Sequence, residues 1–150
     1  MKIQRAHKPL MMAVLGVIGV TALGGCSASQ TDRPTPSVSA AVDPLVQIKD
    51  PSNDLYTDAA NHPVLHVQGT GSRSYTLKSL PAGTTRVTFY VSCSPSSRFV
   101  VAMGKNFSGP CGHVVANSGG IPVDAATAPT VTITLPKTTS FWLVGIPSTT

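Results

Sequence analysis

Hydrophobic and polar positions alternate without a break from Arg86 to Cys93. Val87, Phe89, Val91 and Cys93 fall on one face, and Arg86, Thr88, Tyr90 and Ser92 on the other. A period of two predicts a half-buried β-strand. The same period returns in Phe99, Val101 and Met103 within residues 98–104, and in Val131, Ile133 and Leu135 against Thr130, Thr132 and Thr134. Residues 64–68, 74–80, 113–116 and 141–146 are further strand candidates. Turn chemistry separates these runs at Pro81-Ala82-Gly83, Ser94-Pro95, Ser108-Gly109-Pro110, Gly119-Gly120 and Pro136-Lys137. About seven short strands with no amphipathic helix between them predict an all-β fold, a small antiparallel β-sandwich or barrel. Trp142 is expected in its core, where a large apolar area is best used.

Upstream of Pro63 the pattern weakens. Leu45 to Ile48 reads as a possible first strand, Asp50-Pro51-Ser52-Asn53 as a turn, and residues 54–60 as either loop or short helix. Ser27 to Pro44 has no periodicity and consists mainly of Ser, Thr, Pro and Ala. Such a segment buries too little apolar surface to offset its ordering entropy, so a disordered stalk is expected. The folded domain is therefore placed at residues 45–150, behind a linker at 26–44 and a leader at 1–25.

The leader reading comes from the first 26 residues. Lys2, Arg5 and Lys8 precede an uncharged apolar run, Leu10 to Leu23, which is followed by Gly24, Gly25 and Cys26. A basic start, a short apolar stretch and a small-residue cleavage site make a secretory signal. The run is short of the roughly 20 apolar residues that a membrane-spanning helix needs. Leu23-Gly24-Gly25-Cys26 resembles the lipobox of bacterial lipoproteins. The resemblance implies cleavage before Cys26, a diacylglycerol on its sulfur with palmitate-type acylation, and a cell-membrane anchor facing the extracytoplasmic side. Two acyl chains hold a protein where one gives only reversible binding, at about 0.8 kcal/mol per buried methylene.

Export changes what the other numbers mean. The formal charge is +5, but without Lys2, Arg5 and Lys8 the chain carries eight basic residues against six acidic ones, a net of +2. That surplus is small and scattered, which argues against a nucleic-acid partner. All six acids are Asp, and charged residues are 11% of the chain, against about a quarter in ordinary globular proteins. With Cys26 lipidated, Cys93 and Cys111 remain as a pair. Outside the cytoplasm such pairs persist as disulfides, and the spacing differs from the Cys-x-x-Cys of redox sites, so a structural bridge is expected. Lipobox, stalk, strand ending in Cys93, partner Cys111 and late Trp142 together form a layout similar to that of small actinobacterial lipoproteins, which implies a tethered β domain without assigning a role.

Chemistry-bearing groups are sparse. His62 and His66 stand four apart, but Pro63 takes them off a helix, and extended backbone would hold them about 13 Å apart. Asp50, Ser52, Asp54, Tyr56 and Asp58 resemble a calcium loop, yet Leu55 stands where a Gly is wanted and Asn61 where a bidentate Glu is wanted. Cys111, His113 and Met103 resemble a soft copper set, which a disulfide would consume. No metal or cofactor is therefore expected. The chain has no Gly-x-Ser-x-Gly or Ser-x-x-Lys motif, and Asp124 is the sole acid after Pro63, so catalytic residues are not expected either. Tyr90 with Arg86 and Thr88 on the outward face of the best strand could stack on a sugar or a peptide, although a covering loop or a lone surface tyrosine explains the same residues more simply. The expectation is a non-enzymatic binding or accessory module of the cell envelope, with a glycan or protein ligand. An envelope hydrolase joining His66 or His113 to Asp124, or a metal-binding lipoprotein, is the alternative.

Overall fold

The computed structural model describes residues 39–115, 117–124 and 129–149. Cys26, the leader and most of the expected stalk lie outside the described residues. Eight strands form: β1 (Leu65–Thr70), β2 (Arg73–Thr76), β3 (Arg86–Ser94), β4 (Ser97–Met103), β5 (Lys105–Cys111), β6 (Asn117–Pro122), β7 (Thr130–Thr134) and β8 (Ser140–Ser148). They make two antiparallel four-stranded sheets, ordered β1-β8-β3-β6 and β2-β7-β4-β5. Every connection except the β4–β5 hairpin passes from one sheet to the other, which is the winding of an eight-stranded jelly roll. The expected all-β sandwich is thus the fold, with eight strands rather than about seven.

The alternation read from the sequence decides which side chains meet between the sheets. Val87, Phe89, Val91 and Cys93 of β3 point inward with Phe141 and Leu143 of β8. They meet Phe99, Val101 and Met103 of β4 and Val131 and Ile133 of β7. Phe89, Phe99 and Phe141 are fully buried, each contributing about 1.5–3 kcal/mol over exposure. Cys93 at the end of β3 and Cys111 at the end of β5 are bonded, Cα–Cα 5.5 Å, and so fasten one sheet to the other. The expected disulfide is present.

Four expectations are corrected. Trp142 is only half-buried and lies on the outer face: Phe141 and Leu143 take the inward positions, so parity turns the indole away. Ser108-Gly109-Pro110 and Gly119-Gly120 are not turns but lie within β5 and β6. Both are edge strands, where a proline can leave its missing N–H unpaired. Gly119 is there for space: a Cβ would come within 2.5 Å of the Phe107 ring, which packs edge-on against Phe99 at 5.3 Å. Residues 113–115, expected to be strand, are irregular.

The fourth correction concerns the segment before β1. Leu45 to Ile48 is not a strand but part of a short helix, α1 (Pro44–Ile48). Asp43 caps it, its Oδ1 accepting from the Leu45 N–H at 2.9 Å, and Pro44 supplies a preset φ at the first position. A 3₁₀ turn follows at Asp58–Asn61. These two pieces lie on the outer face of the first sheet, where Ile48 and Ala60 close over Tyr90, Val144 and Ile146 as a second, smaller core. The folded unit also begins before Leu45. Residues 39–43 form a strap: the Val42 N–H donates to the His113 carbonyl at 2.8 Å, and the hydroxyls of Ser92 and Ser94 donate to the carbonyls of Val42 and Ser39. The polar face of β3 is what ties this strap down.

Candidate functional site

The outer face of the first sheet presents four rows of side chains, of which three concern the clefts. β1 contributes His66, Gln68 and Thr70; β8 contributes Ser140, Trp142, Val144 and Ile146; β3 contributes Arg86, Thr88, Tyr90, Ser92 and Ser94. The strap, α1 and the 3₁₀ turn cover the middle of this face and leave a cleft at each end.

The larger cleft, about 610 Å³, lies between the strap at Ala40 and Ala41 and the ends of β1 and β8. Its polar groups are Gln68, Thr70, Ser94 and Ser140, and its aromatic wall is Trp142. Among the described residues no ionisable side chain lines it. The indole is stacked on the His66 ring, centroids 5.2 Å apart and planes 22° apart. His66 Nε2–H donates to Asp43 Oδ2 at 2.8 Å, so the carboxylate that caps α1 also orients the ring supporting Trp142. This ring–carboxylate pair was hidden in the sequence, because Asp43 sits in a stretch whose composition reads as stalk.

The second cleft, about 440 Å³, opens at the other end of the face, between the 3₁₀ turn and residues 81–84, and is lined by Thr88, Tyr90 and Ile146. It holds two of the three residues singled out on β3, and they lie under a covering segment, the simpler of the readings weighed from the sequence, rather than in an open aromatic–cation patch. Tyr90 is 9% exposed beneath Ala59 and Ala60. Burial raises its phenol above the ordinary tyrosine value. Arg86 is exposed at the start of the strand, with its aliphatic stem laid across Gly120.

The remaining candidates are committed elsewhere. Asp50 accepts from both the N–H and the hydroxyl of Ser52, which holds its carboxyl below the ordinary range. Asn53 accepts from the Leu55 N–H, and Tyr56 donates to Asp58 at 2.5 Å. Asp50 with Ser52, and Tyr56 with Asp58, thus bond within the segment that resembles a calcium loop. His113 Nδ1–H donates to the Ala40 carbonyl, and Cys111 is in the disulfide. Asp124 lines a third cleft with Met103 and Lys105, whereas the carboxylate beside His66 is that of Asp43. Among the described residues no cluster of three or more His, Cys, Asp or Glu side chains could hold a metal ion, and no helix is long and apolar enough to cross a membrane. No family model, curated protein or solved structure matches the chain.

Proposed function

We propose that this chain is an exported lipoprotein, held on the cell membrane through a lipidated Cys26, whose jelly roll serves as a non-enzymatic binding or accessory module at the envelope. A fold alone does not specify a role, so the reading rests on the site. The observation that carries it is the cleft beside Trp142, where an aromatic wall and neutral hydrogen-bonding side chains converge without a paired acid and base. Such a lining can select and orient a ligand, and none of its described side chains is an acid or base that would move a proton. The leader, the small residues before Cys26 and a disulfide suited to an oxidising compartment support the address.

Two measurements test the two halves of the proposal. Intact mass of the membrane-extracted protein is expected to equal residues 26–150 plus a diacylglyceryl group on Cys26, less two hydrogens for the disulfide. A Cys26→Ser protein is expected to keep residues 1–25 and gain no lipid, whereas normal processing of that variant would overturn the anchor. Immobilised full-length protein is expected to retain a component of the envelope fraction, glycan or protein. A clean failure across both classes would overturn the binding module.

A further inference from the structure

Resting on that reading of the domain as a binding module, we propose that the cleft beside Trp142 takes an uncharged saccharide, one sugar ring stacking on the indole. A pyranose has an apolar C–H face and a rim of hydroxyls, each both donor and acceptor. The cleft has the complementary parts. Trp142 supplies a large, polarisable flat surface whose own position is fixed by His66. Around it the Gln68 amide offers two donors and an acceptor, and the hydroxyls of Thr70 and Ser140 offer both roles. Those three side chains are exposed, and none forms a hydrogen bond to another described residue. The Ser94 hydroxyl donates to the strap and keeps lone pairs to accept.

Charge narrows the class of ligand. An acidic ligand would want a cation, and none of the described residues that line the cleft is one; Arg73, whose Nε–H donates to the Thr70 carbonyl at 3.3 Å, is not among them. The Asp43 carboxylate is occupied by His66 and by the Leu45 N–H. A cleft of about 610 Å³ also lies within the roughly 300–1,000 Å³ typical of ligand sites. Neutral sugars satisfy the hydroxyl and amide groups without leaving a buried charge unpaired.

The test is direct because Trp142 is the only tryptophan in the chain. Detergent-solubilised full-length protein is titrated with neutral oligosaccharides (gluco-, manno-, galacto- and arabino-series) and with polygalacturonate. Tryptophan emission and calorimetry are followed together. At least one neutral series is expected to shift the emission saturably, and polygalacturonate is not. Trp142→Ala is expected to weaken the calorimetric Kd on the order of tenfold or more, as loss of an aromatic anchor does. Gln68→Ala and Ser140→Ala, which alter only exposed side chains, are expected to weaken it less at unchanged Tm, so the result does not depend on the Trp142 variant folding. No response to any neutral series, a response to polygalacturonate alone, or binding untouched by all three substitutions overturns the proposal. Envelope capture that survives Trp142→Ala while every sugar fails would overturn the saccharide but leave the binding module standing. Failure of capture as well would overturn both.

Discussion

At the scale of single residues, parity decides most of what can be read. Val87, Phe89, Val91 and Cys93 are inward because the strand alternates, and the sequence states that alternation openly. The same rule, applied to Phe141 and Leu143, would have placed Trp142 outside; ranking it by apolar area instead led to the wrong face. Ser92 and Ser94 were not legible, since a serine on an outer face looks the same whether it meets water or a strap carbonyl. Tyr90 gives a residue-level test. Its phenol is pushed up by burial, so the unfolded chain releases that proton near pH ~10 while the folded chain still holds it. The stability tied to this group is complete below that value and is lost as pH rises toward the folded one. Urea unfolding at increasing alkaline pH is expected to show falling stability, with a shallower fall in Tyr90→Phe. Tyr75, raised in the same sense by burial, keeps the slope from vanishing.

At the scale of elements, the interior strands and the edges β1 and β2 were legible, and the edges β5 and β6 were not. β3, β4, β7 and β8 carry long apolar alternation because each has neighbours on both sides or packs at the centre of the sandwich. β5 and β6 have one neighbour each within their sheets, and their Gly and Pro, which mark turns elsewhere, reflect close ring packing and an unpaired outer edge. The short helix α1 escaped because Leu-Val-Gln-Ile favours a strand locally, and the Asp43-Pro44 start outweighs that preference. Its anchor, Ile48, is fully buried against the second core. Ile48→Ala is expected to cost about 2–5 kcal/mol, read by urea unfolding, and to increase the accessibility of Tyr90 to solvent quenchers. A loss below about 0.5 kcal/mol would mean that the helix contributes little to holding this face closed. The disulfide acts between elements too. Replacing Cys93 and Cys111 together by Ser is expected to lower stability by about 3 kcal/mol, given an 18-residue separation. Equal unfolding midpoints for the two proteins would contradict a structural role.

At the scale of the whole molecule, the winding of the strands governs how the domain can come into being. β1 pairs with β8, and β2 pairs with β7, so the earliest strands depend on the latest for their backbone partners. Such distant pairing makes nucleation slow, because a long loop must close before any contact rewards it. A chain stopped before Ser140 is expected to lose cooperative thermal unfolding altogether, as judged by calorimetry; a sharp transition there would contradict this dependence. For a nascent chain, it follows that nothing resembling the finished sandwich can assemble until the last strand has been synthesised. On the export route proposed above, a polypeptide threaded through a narrow translocation pore must stay extended, and this winding would delay the finished sandwich until β8 has arrived.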